Sequence, residues 1–361
     1  MTDYAAAGVD VEAGERAVAL MRASIARTGR PEVLGAFGGF AGLFDISAAR
    51  SMVRPILATS TDGVGTKIAV ARAMDVHRTI GIDLVAMVID DLVVCGAEPL
   101  FMTDYIATGS VDPERIARIV EGIAEGCVRA GCALVGGETA EHPGLMAADE
   151  YDIAGAGVGI VDADAMLGAE RVRAGDAVIA MGSSGLHSNG YSLARMVLLG
   201  EGGPGLDGHV SEVARSVGEE MLEPTRIYAQ DCRALAASCD VHAFSHVTGG
   251  GIAANLARVL PETLAVDVDR ATWAVPGIFT AIGRIGGVPS AEMERAFNMG
   301  VGMIAVVDPT SAERAIDILA ARGVPAWQCG TVRARRDGDV GDAAAKGGSG
   351  GIVVLEGEYA G

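Results

Sequence analysis

The stretch from Ser60 to Lys67 reads STDGVGTK and packs a carboxylate, two glycines, a hydroxyl and a lysine into six consecutive residues, Asp62 to Lys67. A phosphate-binding P-loop needs a glycine, four residues, then Gly-Lys followed by Ser or Thr, so that backbone amides cradle phosphates and the hydroxyl meets a metal. Here Lys67 follows Thr66 and no glycine holds the required earlier position, so this is not such a loop. What remains is still chemically pointed. Amides around Gly63, Val64 and Gly65 favour an anion, Lys67 adds a point charge, and Asp62 repels phosphate unless a cation lies between them. The combination implies Mg²⁺ with phosphate. On this stretch alone an ordinary Asp-Gly turn is the favoured reading.

Other groups extend the set. Asp83, Asp90 and Asp91 interrupt the otherwise apolar run Ile80 to Val94, and carboxylates on such a face need a partner. Glu138 ends an apolar strand beside Gly136 and Gly137. Asp62, Asp91 and Glu138 thus form a candidate Mg²⁺ set. His187, between glycines in GSSGLHSNG, is a candidate proton donor or phosphate contact, with Ser188 and Asn189 beside it at the start of a helix. Thr248 leads into Gly249, Gly250 and Gly251, a third glycine cluster, with His246 just before it; His77 and His142 read as surface residues.

The elements that must position these groups follow a strand, glycine loop, helix pattern, found once in each half. Ile56–Ser60 is strand-like, Asp62–Gly65 turns, and Thr66 opens a helix; a second helix over Ile80–Val94 stops at Gly96. Asp112-Pro113 starts a helix whose Ile116, Ile119, Val120 and Ile123 face inward. Strands follow at Ala133–Val135 and Ile153–Val161, the latter rich in alternating glycines. A polar connection from Asp162 to Gly175 marks a boundary near residue 170. Beyond it come the strand Ala177–Met181, helices at Tyr191–Leu199 and Ile252–Leu260, and strands at Met303–Val307 and Ile352–Leu355. The Gly-, Ala- and Asp-rich 337–351 reads as a flexible loop. The segment Gly35–Phe40, phenylalanines among glycines, reads as a mobile cover or a surface loop.

Bulk properties set limits. The 361 residues allow two domains, and no apolar run reaches the roughly 20 residues that span a bilayer. No basic, then apolar, leader opens the sequence, so a soluble, cytoplasmic protein is expected. The formal charge of −19 repels nucleic acid and anionic membranes. Six cysteines without metal-ligand spacing read as reduced thiols.

Four segments together, TDGVGTK (61–67), GIDLVAMVIDDLVVCGAEPLF (81–101), LVGGETAEHPG (134–144) and GSSGLHSNGYSL (182–193), closely resemble the phosphoribosylformylglycinamidine cyclo-ligases. GVDVEAGERAV near the start, EPTRIY (223–228), HVTGGGI (246–252) and FNMGVGMI (297–304) fit as well. The resemblance implies an α/β (α+β) chain in two domains. An N-terminal segment (1–44) with a mobile glycine-rich loop precedes an ATP-binding and dimerisation domain (45–168), whose sheet forms a β-barrel across a homodimer. A C-terminal α+β domain (169–361) follows. It also implies ATP-dependent ring closure: the formyl oxygen of formylglycinamidine ribonucleotide is phosphorylated, an internal nitrogen attacks, and phosphate leaves, giving 5-aminoimidazole ribonucleotide in purine biosynthesis.

By position, Asp62, Gly63, Val64, Gly65, Thr66, Lys67, Asp91 and Glu138 would belong to the ATP site, with Asp62, Asp91 and Glu138 on Mg²⁺. His187, Ser188 and Asn189 would lie on the substrate side, with Gly249, Gly250 and Gly251 as a phosphate-binding turn; His187, Asp62 and Lys67 would carry the chemistry. The implied partners are a phosphoribosyl small molecule and a second copy of the chain. The sequence departs from the family in Asp90-Asp91, where relatives carry Asn-Asp, and in Arg22, where they carry lysine; 337–351 resembles an insertion without functional weight. Selenophosphate synthetase, with an early reactive cysteine, fits poorly because the first cysteine is Cys95. The hydrogenase-maturation dehydratase, with a C-terminal cysteine, fits poorly with the end Glu358 to Gly361. Thiamine-monophosphate kinase shares the ATP-binding architecture. A catalytically silent ATP-binding scaffold would be expected to have lost some of these carboxylates or His187, and none is missing.

Overall fold

The computed structural model describes residues 11–35 and 38–360, so Ala36 and Phe37 of the glycine-rich segment and the first ten residues lie outside the described residues. The chain divides into two compact units. Among the described residues, one comprises those up to 92 and 97–165, the other 93–96 and 166–360.

The first unit contains α1 (Val11–Ala26), the short strands β1 (Val33–Leu34) and β2 (Leu43–Phe44), then β3 (Pro55–Gly63), α2 (Lys67–Met74), α3 (Arg78–Val93), β4 (Glu98–Thr108), α4 (Pro113–Ala130), β5 (Ala133–Glu141) and β6 (Tyr151–Asp162). Its sheet runs in the order β3-β6-β4-β5, with β4 and β5 parallel and the other pairs antiparallel. The parallel pair is joined by α4, the long crossover that such a pair requires. Helix α4 begins as its sequence dictates. The Asp112 carboxylate accepts the Arg115 N–H at 2.9 Å, Pro113 holds the first turn, and Gly131 ends the helix at φ 76°. Ile116, Ile119, Val120 and Ile123 are all buried.

Helix α3 lies against both the sheet and α4, and glycines make both contacts close. A Cβ at Gly157 of β6 would stand 2.9 Å from Val88, and one at Gly122 of α4 only 1.8 Å from the Arg78 carbonyl oxygen. Two element ends move relative to the sequence reading. Strand β3 continues through Asp62 to Gly63, so the turn is Val64–Thr66, and β5 continues to Glu141, so Glu138 stands mid-strand. In each case pairing with a neighbouring strand overrides the local turn signal.

The second unit contains β7 (Ala177–Gly182), α5 (Tyr191–Leu199), α6 (Val217–Met221), α7 (Ala229–Ser238), β8 (Val241–His246), α8 (Gly251–Arg258), β9 (Leu264–Asp269), α9 (Gly277–Gly286), α10 (Ser290–Ala296), β10 (Val301–Val307), α11 (Ala312–Ala321), β11 (Ala326–Ala334) and β12 (Ile352–Glu356). The sheet order is β12-β9-β11-β7-β10-β8, antiparallel except for β12 on β9. β7 and β10 are buried along their whole length, as near-continuous apolar runs require. Residues 337–351 form no helix or strand, yet they are tied to α8 by Lys346 N–H to Ala254 O (3.1 Å) and Gly351 N–H to Ala257 O (3.0 Å). The expectation of a free loop gives way to one packed on a helix.

His77 is also not a surface residue. It is buried between the Tyr151 hydroxyl and the Asp75 carboxylate, each at 2.9 Å. All six cysteines are free thiols, and no helix among the described residues is long and apolar enough to cross a membrane.

Gly122→Ala is expected to force α3 and α4 apart and cost about 1–3 kcal/mol. Gly14→Ala in α1, where an added Cβ meets nothing within 4 Å, is expected to stabilise by about 0.5–1 kcal/mol. Urea unfolding of both variants measures the contrast, and equal effects would remove the close-packing account.

Candidate functional site

At the junction of β3 and α2, Asp62 Oδ1 accepts the Gly63 N–H at 2.7 Å. Among the described residues no internal acceptor is found for the N–H groups of Val64 and Gly65, which open α2 with Thr66 exposed beside them. Gly65 holds φ 65° with open space around it. Two unspent amides at a helix N-terminus suit an anion. Lys67 does not join them. Its ammonium is fully buried and donates to Asp83 Oδ1 at 2.9 Å, both side chains having no exposure. The expectation that Lys67 presents a charge to phosphate is therefore corrected. The first turn of α2 aims its side chain inward at α3, where a buried carboxylate needs a cation.

The proposed carboxylate set for Mg²⁺ is corrected too. Among the described residues no group of three or more His, Cys, Asp or Glu is placed to hold a metal ion. The register explains this. Asp62 pairs across to Gly155, Asp104 and Gly137, whereas Glu138 belongs to the next row with Tyr105, Ala154 and Gly63. Asp62 and Glu138 therefore sit on opposite edge strands, three strand spacings or about 14 Å apart, and on opposite faces. Mg²⁺ holds its oxygens at roughly 2.1 Å. Asp91 is exposed near the end of α3, about 12 Å along the helix from Asp83. Asp90 is buried.

A cavity of about 310 Å³ opens between α1 and the sheet, lined by Ala17, Val18, Met21 and Ile25 of α1 and by Val120, Leu134 and the Gly136–Thr139 stretch. Asp104 of β4 also lines it. Its carboxylate lies over Gly137, where a Cβ would come within 1.8 Å of Oδ1. Burial pushes the Asp104 carboxyl up from 3.8 to about 7, against a small opposing effect of its own backbone N–H. The sequence reading missed this residue, although its signal is visible: a single acid within the apolar strand LFMTDYI.

In the second unit the Ser183–Gly190 loop, expected to be flexible and polar, is braced from three sides. His187 is buried at φ 61°, a strained backbone for a non-glycine residue. Its Nε2 accepts the Ser184 N–H at 3.1 Å, so that nitrogen carries no proton in this arrangement.

Ser188 Oγ lies 3.0 Å from Thr225 Oγ1, Asn298 Nδ2 donates to Gly185 O at 2.9 Å, and Asn189 Oδ1 accepts the Gly249 N–H at 3.0 Å. The loop thus gathers EPTRIY, FNMGVGMI and HVTGGGI around itself. Gly302 allows this packing, since a Cβ there would stand 2.1 Å from Tyr228 Oη and 2.5 Å from His187 Cε1. The Gly249–Gly251 turn is not a ready phosphate cradle. The Gly249 N–H goes to Asn189, that of Gly250 to Arg295 O at 3.1 Å, and that of Gly251 to Thr248 O at 3.1 Å. Gly250 (φ 102°) and Gly251 (φ 69°) are favoured by backbone conformation, and a Cβ at Gly251 would also stand 1.7 Å from the Glu294 carbonyl oxygen. Lys346, one of only two lysines in the chain, reaches Thr248 Oγ1 at 3.4 Å.

Comparison with known proteins decides the family. Residues 48–161 match the AIR synthase related protein N-terminal domain and residues 173–343 its C-terminal domain. The chain belongs to the AIR synthase related family. Among family relatives, proteins named phosphoribosylformylglycinamidine cyclo-ligase from Sorangium cellulosum and Geobacillus kaustophilus are similar to it at 50% identity (91% of this chain, 94% of that protein) and 47% identity (91% and 95%). Two solved structures share the fold. A thiamine-monophosphate kinase from Stenotrophomonas maltophilia has TM-score 0.66 at 19% identity, covering 95% of this chain and 97% of its own. The E. coli hydrogenase maturation protein HypE has TM-score 0.61 at 20% identity, covering 88% and 90%. The mixed α/β architecture in two parts is therefore that of the family.

In this family member Lys67→Met is expected to cost about 3–5 kcal/mol by stranding Asp83, with the added Asp83→Leu change recovering most of it. Unchanged urea stability in Lys67→Met would return the lysine to the phosphate site. Asp104 gives a pH signature. The native state keeps its proton up to about pH 7 while the unfolded chain loses it near 3.8, so the native state binds more protons between those values. Stability therefore falls as pH rises through that window. Asp104→Asn is expected to flatten this fall, read from urea midpoints at the two ends of the window; an identical slope in both proteins would contradict it.

Proposed function

We propose that this chain catalyses the ATP-dependent closure of formylglycinamidine ribonucleotide to 5-aminoimidazole ribonucleotide, with release of ADP and phosphate. The observation that carries this reading is 47–50% identity over more than nine-tenths of both chains to proteins named for that ligase activity. The matched region covers 95% and 94% of those relatives' own length.

The reaction activates an amide-type oxygen by phosphorylation and lets an internal nitrogen displace it. Little covalent chemistry falls to the protein, which supplies positioning and charge stabilisation. In the proposed division of labour, the Val64 and Gly65 amides at the start of α2 hold phosphate oxygens, with Thr66 beside them. Lys67 acts at one remove, by fixing that turn to α3 through Asp83. Ser188 and Asn189 face the phosphoribosyl substrate, and His187 shapes their loop through the Ser184 amide. Mg²⁺ accompanies nucleotide phosphates in such chemistry. The carboxylates of one chain do not fit a protein-built cage for it, because Asp62, Asp91 and Glu138 stand too far apart.

We also propose a homodimer. Leu57 and Val53 are largely exposed at and before the edge strand β3, and Tyr105 is exposed on the same sheet face as Leu57, in the row of Glu138. A four-stranded sheet that, among the described residues, has exposed apolar residues on one face and two edges without a strand partner is what a second copy would cover. Residues 45–168 are proposed as the dimerising and ATP-binding part, and a cytoplasmic setting accords with the six free thiols.

Purified protein supplied with formylglycinamidine ribonucleotide, ATP and Mg²⁺ is expected to form the aminoimidazole product with one ADP per turnover. ATP binding without product would favour a scaffold instead. Asp62 Oδ1 accepts the Gly63 N–H and so braces the turn that is proposed to hold phosphate; Asp62→Asn is expected to lower turnover by about tenfold or more in a folded protein, and near-unchanged kinetics would take Asp62 out of the site.

A further inference from the structure

We infer that Lys346, carried by the 337–351 segment, binds the phosphate monoester of the phosphoribosyl substrate beside the Thr248–Gly251 turn. The inference rests on the proposed reaction and adds a contact from a residue beyond 173–343, the stretch that matches the family's C-terminal domain.

The segment that resembles an insertion without functional weight is built to hold this side chain. The Asp342 N–H donates to Val353 O at 3.0 Å and its carboxylate accepts the Leu355 N–H at 2.6 Å, which ties the segment to β12. Ala343 and Ala345 pack against the apolar cluster to which α8 contributes Ile252, Leu256 and Ala257. Gly350 lets the far end lie flat on α8, since a Cβ there would stand 2.2 Å from the Ala257 carbonyl oxygen. Between these anchors the Lys346 N–H is itself bonded to Ala254 O at 3.1 Å. The backbone that carries the lysine is therefore fixed before a ligand arrives, which lowers the ordering cost of binding.

The ammonium stands apart from the other cations of this unit. With 47 acidic against 28 basic residues, a basic side chain readily finds a carboxylate. Arg270 pairs with Glu294, Arg284 with Glu212, Arg322 with Asp231 and Arg333 with Asp267. Among the described residues no carboxylate pairs with Lys346, whose Nζ donates to Thr248 Oγ1 at 3.4 Å. An ammonium has three donors, so two remain for a ligand. Thr248 Oγ1 in turn donates to Asn255 Oδ1 at 3.4 Å, which leaves its lone pairs to the lysine.

The turn beside this ammonium needs such a charge to hold an anion. Its three glycine amides already go to Asn189, Arg295 and Thr248, so its backbone offers a phosphate nothing. The bond from Gly249 to Asn189 sets the turn against the Ser183–Gly190 loop, which is proposed to face the substrate. A compact, strongly hydrated ammonium on a flexible stem suits a doubly charged monoester as a point charge. The nucleotide phosphates are assigned to the β3–α2 turn of the first unit, so the phosphate that falls to the second unit is the substrate's own.

The test uses the full-length protein. Its other lysine, Lys67, has no exposed surface, so among the lysines an amine-acetylating reagent reads Lys346. Formylglycinamidine ribonucleotide is expected to protect Lys346 from acetylation, followed by mass spectrometry, whereas the matching ribonucleoside without phosphate and ATP are not. Lys346→Met is expected to raise the KM for the ribonucleotide by about tenfold, with smaller effects on kcat and on the KM for ATP. That KM is also expected to respond less to ionic strength than in wild type. Lys346→Gln, which can still donate to Thr248 but carries no charge, is expected to match Lys346→Met, and Lys346→Arg to recover most of the loss. Equal protection by the ribonucleoside, a wild-type KM for the ribonucleotide in Lys346→Gln, or a rise in the KM for ATP instead would each overturn the inference. Product formation by wild type alongside those results would leave the proposed reaction standing. Phosphate-dependent protection with no product would retain the Lys346 contact and remove the reaction.

Discussion

The buried pair of Lys67 and Asp83 is the constraint on which the N-terminal unit turns. An ammonium and a carboxylate with no exposed surface hold each other only at short range, and either one left alone would be a charge stranded in an apolar interior. The pair therefore fixes the first turn of α2 to the middle of α3. With α2 fixed, the Val64 and Gly65 amides are held between the end of β3 and the start of α2. A lysine that looks from the sequence like a ligand for phosphate is thus held in the interior, where it ties α2 to α3.

Glycine plays the complementary part, by distance rather than charge. Gly81, Gly122 and Gly126 let α3 and α4 approach closely, and Gly155 and Gly157 let α3 settle on β6. This brings Leu84, Val88 and Leu92 onto the sheet as a continuous apolar layer. In the second unit Gly302 does the same for His187 and Tyr228. The price in backbone entropy is spread across both units, and the return is that the site loops rest on a rigid floor.

Much of this was legible from residue types alone. The α4 start at Asp112-Pro113, its inward face and its Gly131 stop all read directly, because caps and helical period are local physics. The cofactor family was legible through long motifs. What the sequence could not carry was direction. Whether Lys67 faces solvent or Asp83, whether Glu138 shares a sheet face with Asp62, and whether the Gly249–Gly251 amides are open or already bonded all depend on non-local pairing. A one-residue change in register would reverse the second of these. Asp104 was overlooked because one acid in an apolar strand signals only that something nearby must answer it, and the answering group here is a cavity, not a side chain.

The two units solve the same problem in different ways. At the β3–α2 turn, the amides of Val64 and Gly65 find no internal acceptor among the described residues, so an acceptor arriving there would displace no existing bond. At the Ser183–Gly190 loop, every brace is already in place: the Ser184 amide goes to His187, the Gly249 amide to Asn189, and the Gly185 carbonyl accepts from Asn298. A ligand there must exchange contacts rather than complete them, and the gain from each new hydrogen bond is offset by one lost. The first arrangement leaves two donors open to an acceptor. The second makes a loop whose shape is set by a strained His187 and by Gly302 beneath it. That division follows from where each backbone N–H already goes.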